Sequence, residues 1–259
     1  MPRNAIKYIL LALLLTGFTA SGCLVFRPWF RQAAHRRESK VAATAFLEQH
    51  PEATAPTEPS VATTDAPTEE RPLAELYATM QAYNEKIYAE GQRELYRPGA
   101  YVAPTIDFEA YGLDADAAIG VLEIPAIGVR LPIYPGASTA NLSRGAALLS
   151  QTSFPLGGEN TNAVIGAHRS WDSEDYLRDI EAVQVGDAVI VTNFWETLHY
   201  TVAEVKIIEP NDIDQILIQP GRDLLTVFTC HPYASGGRYR YLLICERAES
   251  KTSPATTDR

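Results

Sequence analysis

From Ala118 to Glu246 the apolar residues of this chain arrive only in short runs, closed by Gly, Pro, Asn or Asp. The runs are AIGVLEIPAI, VRLPIYPG, NAVIGAH, DAVIVTN, LHYTVAEVKIIE, LLTVFTC and RYRYLLICE. Their length and their β-branched and aromatic content are those of strands rather than helices. Seven such runs predict an all-β barrel or sandwich, interrupted by one helical stretch, SEDYLRDIEAV from Ser173 to Val183. The domain is expected over residues 101–247, followed by a polar, disordered tail at 248–259.

Ahead of the strands the pattern changes. Tyr8 to Phe26 is nineteen residues without a charge. As a helix it is about 28 Å long, enough to cross a bilayer core. Residues 1–27 are therefore expected to be a membrane anchor or signal segment. The run Ala20-Ser21-Gly22-Cys23 loosely resembles a lipoprotein processing site, so a signal anchor and a lipidated Cys23 both stay open. The flank Arg27, Arg31, Arg36, Arg37 and Lys40 would by the positive-inside rule hold the body in the cytoplasm. Against this, EATAPTEPSVATTDAPTEER, Glu52 to Arg71, has the composition of an unfolded spacer that holds an exported domain off a membrane. The reading adopted is a folded domain outside the cell, with 28–71 a basic flank, able to rest on anionic headgroups, and a disordered stalk.

Residues 72–100 follow as a helical segment with Leu73, Leu76, Met80, Tyr83 and Ile87 on one face, expected to pack on the next domain. Residues 1 to 40 carry seven Lys/Arg against one acid, leaving 15 bases and 31 acids in the rest of the chain. So acidic a body is a poor partner for nucleic acid.

Three cysteines, Cys23, Cys230 and Cys245, are too few for a disulfide framework and lack metal-ligand spacing, so no metal or cofactor is expected. Cys230 could be buried filler, half of a bridge to Cys245, or a nucleophile. A thiol nucleophile needs an imidazole and a donor for the oxyanion. His35 and His50 belong to the membrane-proximal segment, and His199 sits within a strand. His168 ends a strand and precedes a polar loop. His231 follows Cys230 directly and by strand alternation faces the other way, which leaves it a minor alternative. Arg238 and Arg240 share a face by the same alternation. A return through HPYASGG would lay Arg240 beside Cys230, where a guanidinium favours a thiolate and can donate to an oxyanion.

At these residues the chain resembles the sortases, the cysteine transpeptidases of bacterial surfaces. TVFTC resembles the family's T-L-x-T-C signature with Val227 in place of Leu, GAHRS its histidine strand end, and RYLLI its arginine strand. IGVLEIPAIGVRLPIYPGAS, FPLGGENTNAVIGAHRS and TCHPY are similar to class C, the pilin-polymerising branch. The resemblance implies an eight-stranded sortase β-barrel with short helices. It also implies Cys230 as nucleophile, His168 as general acid/base and Arg240 as the positioning and oxyanion-stabilising group, with Thr229 and Arg238 as substrate-binding residues and Arg238 the fallback arginine. The implied partners are LPxTG-like surface proteins or pilins and an amine from a pilin lysine or a cell-wall precursor.

Three features depart from class C. LYRPGAYVAPTIDFEAYG lacks the Asp-Pro-aromatic lid motif, no carboxy-terminal membrane helix follows the strands, and His231 stands where Thr is commoner. Rival readings are a wall-directed cysteine transpeptidase of the L,D type, a papain-like enzyme, and a silent membrane-tethered β-domain that binds a surface protein. The first would need a Ser-x-Gly-Cys-x-Arg run that does not occur, and the second a cysteine at a helix start near the mature amino terminus. The third is opposed by the joint occurrence of Cys230, His168 and Arg240.

Overall fold

The β-branched runs pair into one closed sheet. The computed structural model describes residues 3–54, 73–169 and 176–248. Its strands are β1 (Gly120–Ile124), β2 (Val129–Pro135), β3 (Ala146–Leu148), β4 (Thr161–Gly166), β5 (Ala188–Thr192), β6 (Thr197–Ile208), β7 (Asp223–His231) and β8 (Tyr239–Arg247). They close in the order β1-β2-β3-β4-β7-β8-β6-β5. Closure leaves no unpaired edge. Two pairs, β2 with β3 and β4 with β7, are parallel. The seven expected runs supply seven of the strands. The eighth, β3, is three residues long and carries no alternation of its own; its pairing with β2 and β4 makes it a strand.

Strand alternation separates two faces. Ala163, Ile165, Leu225, Val227, Leu243 and Cys245 join the barrel interior with residues from β1, β5 and β6. On the opposite face Ala147, Val164 and Leu242 form a second apolar layer, against which Phe228 packs. Leu95 and Ile216, from the short 3-10 turns Arg93–Tyr96 and Ile213–Ile216, cover that layer. The strands β4, β7 and β8 are thus apolar on both faces, which explains why their sequences read as continuous hydrophobic runs.

Among the described residues four helices accompany the barrel: α1 (Arg3–Gln49), α2 (Pro51–Thr54), α3 (Ala74–Ala89) and α4 (Thr139–Arg144). The basic flank continues helically to Gln49, and the end of α1 packs on the barrel through Ala43 and Phe46. The Phe46 ring lies 5.4 Å from that of Phe194. The Thr197 hydroxyl donates to the Ala53 carbonyl at 2.7 Å. Of the expected stalk, residues 52–54 lie in α2 rather than in a disordered spacer, and residues 55–71, like Pro72 and 249–259 of the expected tail, lie outside the described residues. Among the described residues no helix is long and apolar enough to cross a membrane. The backbone of Tyr8 to Phe26 belongs to α1, but most side chains of that stretch, Cys23 included, also lie outside what is described.

The stretch Ser173 to Val183 does not form the expected helix over its described part. Residues 176–179 turn, and only Ile180–Ala182 coil, as a 3-10 turn. The Leu177 amide donates to the His168 carbonyl at 3.1 Å, which folds this connection back beneath the end of β4. The helix over residues 72–100 is shorter than expected but buries the expected Leu76, Met80 and Ile87.

Asn84 is buried on the same face of α3. Its amide donates to the Phe154 carbonyl at 3.0 Å and its oxygen accepts from the Phe154 amide at 2.7 Å. The Phe154 carbonyl also accepts from the Leu156 amide at 2.8 Å, so the Phe154 amide is the group that would lose its partner. Asn84→Ala is therefore expected to destabilise the protein by about 1 to 3 kcal/mol, measured by urea unfolding; a loss under about 0.5 kcal/mol would show that the pairing contributes no net stability.

Candidate active site

Parallel pairing brings the ends of β4 and β7 to the same rim of the barrel. The register runs from Thr161 opposite Asp223 to Gly166 opposite Phe228. The Ala167 amide extends it by donating to the Phe228 carbonyl at 3.3 Å. One step further sets His168 abreast of Cys230, on strands about 4.8 Å apart. On the other side of β7, Cys230 pairs directly with Arg240 of β8. By alternation with Phe228 and Leu242, the side chains of Cys230 and Arg240 belong to the outer face. His168, two residues past the end of β4, reaches the same rim on the other side of β7. Both His168 and Cys230 are partly exposed, as a site open to substrate requires.

Gly237 closes the turn above the thiol. A Cβ at this position would lie 3.1 Å from Cys230 Sγ and 3.2 Å from Arg240 Nη1, so thiol and guanidinium border the same small volume. The Gly237 carbonyl accepts from Arg240 Nη1 at 2.7 Å, and the Tyr239 carbonyl does so at 3.1 Å. With φ at +82°, the backbone here is one that suits glycine alone. Two rungs below, a Cβ on Gly166 would meet the Phe228 ring at 2.6 Å. The bare glycine lets that ring lie against β4 on the outer face, leading to Cys230.

The other readings of the cysteine are settled by register and burial. Cys230 and Cys245 are free thiols. Cys245 pairs with Leu225, five rungs from the Cys230–Arg240 pair, and faces the barrel interior. A bridge between them cannot form. Burial pushes the Cys245 thiol far above its ordinary range, so it is the inert cysteine.

The family model for the sortase domain matches residues 122–248. Sortase C-1 from Streptococcus pneumoniae is 32% identical, with a TM-score of 0.60 over 73% of this chain and 94% of that one. This chain belongs to the sortase family. The sortase C of group B Streptococcus pilus island 1 is 28% identical, with a TM-score of 0.63 over 85% of this chain and 97% of that one. Sortases of the C type thus recur among its structural neighbours, and class C is the branch it is most like. Sortase D of Bacillus subtilis is 27% identical over 132 residues, 50% of this chain and 64% of that protein. Sortase A of Listeria monocytogenes is 28% identical over 128 residues, 47% of this chain and 53% of that protein. The chain spans under two thirds of the length of these curated relatives.

Within this sortase, the two residues expected to bind substrate, Thr229 and Arg238, occupy different settings. Thr229 is buried and its hydroxyl donates to the Ala167 carbonyl at 2.7 Å, which ties β7 to β4 rather than presenting a donor to a ligand. Arg238 is exposed in the turn before β8 begins at Tyr239, so strand alternation never aligns it with Arg240. His231 packs its ring 5.6 Å from that of Tyr241, an interior residue, and does not share the outer face with the thiol. The segment lacking the lid motif is tied to the connections that follow β2 and β3. The Tyr101 carbonyl accepts from Ala137 at 2.9 Å and from Ser150 at 3.2 Å. Through β3, Ser150 aligns with Ala163, about 16 Å along β4 from His168.

Gly237, Arg169 and Glu181 are site-proximal residues that local motif reading passes over. The Gly-Gly pair before the arginines was a usable signal for the first, and adjacency to His168 for the second. Glu181 has none, because it arrives from a different connection.

Two outcomes are expected. Alkylation of the folded protein with iodoacetamide followed by peptide mapping should modify Cys230 and leave Cys245 untouched until denaturant is added; the reverse order would contradict the burial of the two thiols. Gly237→Ala should lower turnover about tenfold or more by displacing the thiol or the guanidinium, and unchanged turnover would mean that the turn does not set their spacing.

Proposed function

We propose that this chain is a membrane-anchored cysteine transpeptidase that cleaves an LPxTG-like sorting signal between Thr and Gly and transfers the acyl group to an amine. The observation that carries this reading is the meeting of His168, Cys230 and Arg240 at one rim, from three neighbouring strands. In the proposed reaction the Cys230 thiolate attacks the threonyl carbonyl, and Arg240 donates to the oxyanion that develops. His168 delivers a proton to the departing glycyl amine, so the peptide bond breaks as the thioester forms. An incoming amine, from a pilin lysine or a cell-wall precursor, loses a proton to His168 and attacks the thioester. A new amide forms as the thioester bond breaks, which restores the Cys230 thiolate and the protonated His168. A positioned acid/base of this kind contributes about 10²- to 10⁴-fold to rate.

The apolar layer beside the rim supports the substrate side of the reading. Phe228 is partly exposed next to Cys230 on the outer face and packs on a layer whose Val164 and Leu242 are fully buried, with Leu142 and Ile213 partly exposed at its border. The partly exposed apolar groups, Phe228 first, suit the Leu and Pro of an extended sorting peptide. Anchoring rests on the uncharged stretch Tyr8 to Phe26 and on the continuity of α1 from that stretch to the barrel. The anchored domain would then face the outside of the cell, where surface proteins and wall precursors meet.

The test is mass spectrometry of the enzyme incubated with LPxTG-like peptides, joined to a fluorogenic cleavage assay. Wild type should gain the mass of the acyl fragment, and Cys230→Ala should gain none and show no cleavage. Arg240→Lys keeps the charge but loses the planar fork, and should lower kcat/KM about 100-fold. Arg238→Ala should stay within about threefold of wild type, as expected of an exposed charge. Cleavage by Cys230→Ala would defeat the reading, and equal losses for the two arginine variants would defeat the choice of Arg240.

A further inference from the structure

Beneath the rim the structure holds a charged cluster that the proposed reaction does not use. Arg169 follows His168, and His231 follows Cys230 on β7, where alternation turns it away from the outer face. Arg169 is buried, at 7% exposure. Its Nη1 donates to Glu181 Oε1 at 2.8 Å, and its Nε donates to the Arg178 carbonyl at 2.9 Å. His231 Nδ1 lies 3.0 Å from the same Glu181 oxygen. That contact has the distance of an ion pair without the alignment of a hydrogen bond, and Nδ1 is buried with no hydrogen-bond partner. Tyr241 packs against His231 from β8, while the guanidinium groups of Arg169 and Arg178 each lie 5.6 Å from the centre of the Tyr233 ring. The Arg169 hydrogen bond, with His231 adding to it, holds the Glu181 carboxyl below the usual carboxylate range.

Glu181 therefore touches the residue after His168 and the residue after Cys230 through one oxygen. We propose that Glu181 is a positioning residue that ties the ends of β4 and β7 together from the inner side, and so sets the separation of the imidazole and the thiol on the outer side. The β4–β7 ladder ends with Gly166 opposite Phe228, the Ala167 amide and the Thr229 hydroxyl add one bond each across the strand ends, and the Glu181 contacts join the residues that follow. The connection that carries Glu181 folds back under β4 through the Leu177–His168 backbone bond and so delivers the carboxylate there.

The inference rests on the reading of Cys230 and His168 as the reacting pair, and the experiment separates the two. Wild type, Glu181→Gln, His231→Asn, the double variant and Cys230→Ala are compared for kcat, KM, rate of Cys230 alkylation by iodoacetamide, and thermal midpoint. Glu181→Gln keeps the shape of the side chain and removes its charge. It is expected to lower kcat about 10- to 100-fold, the scale of a misplacement near 1 Å, with KM within about twofold because the outer-face groove is intact. His231→Asn should produce a smaller loss in the same direction. The double variant should be no worse than Glu181→Gln, since both changes cut one tie. The thermal midpoint should stay within about 3 °C, which a general loss of structure would not allow.

Wild-type kcat in both folded single variants would overturn the proposal, as would fully multiplicative losses in the double variant. If Glu181→Gln does not fold, His231→Asn decides on the same criteria. An active Cys230→Ala would instead overturn the underlying function.

Discussion

The parallel pairing of β4 with β7 is the constraint on which the rest depends. Two parallel neighbours end at the same edge of a sheet, so the last side chains of both arrive at one rim. The antiparallel neighbour β8 begins where β7 ends, and its first residues arrive there too. Three stretches separated by about 60 and 10 residues thus meet through backbone hydrogen bonding alone. Antiparallel pairing of β4 with β7 would have sent His168 to the far end of the barrel. Closure of the sheet then locks the order, because no strand can slide without breaking ladders on both sides.

The two faces at this rim divide the labour. The outer face carries partly exposed thiol and guanidinium next to an apolar layer, with the imidazole at the same rim. The inner face carries a charged cluster in which Arg169 is desolvated and matched by Glu181 and a backbone carbonyl. A buried guanidinium is costly unless its donors are satisfied, and here the partners come from the connection that follows β4. Thr229 adds a neutral tie between the same two strands. Small residues fit between these groups: Gly237 borders thiol and guanidinium, and Gly166 makes room for Phe228. The strongly acidic composition of the domain has little bearing on this local arrangement, since charge acts within a few ångströms far more strongly than across a screened surface.

Much of the strand content could be read from the sequence, because β-branched runs bounded by turn residues are a local signal. The signal failed where context replaced it. Ala146–Leu148 is too short to alternate, and Ser173 to Val183 has helical spacing yet coils for only one 3-10 turn within its described part. At the site, Cys230, His168 and Arg240 were visible through their motifs. Thr229 carries the same local signature as its neighbours, but its hydroxyl is taken by Ala167. Arg238 matches Arg240 in spacing, but the strand starts after it. Strand alternation holds only where a strand exists, and neither limit can be seen in the residue order.

By itself the sequence determined the class of structure and singled out the candidate reacting groups, since period-two hydrophobicity and short motifs are properties of neighbouring residues. Only the tertiary structure decided which strands lie side by side, which face each side chain takes and how far apart the groups stand. Those quantities depend on register between distant segments. The Glu181 tie is the clearest case. A carboxylate from one connection completes the ends of two strands, and nothing within several residues of it announces that role.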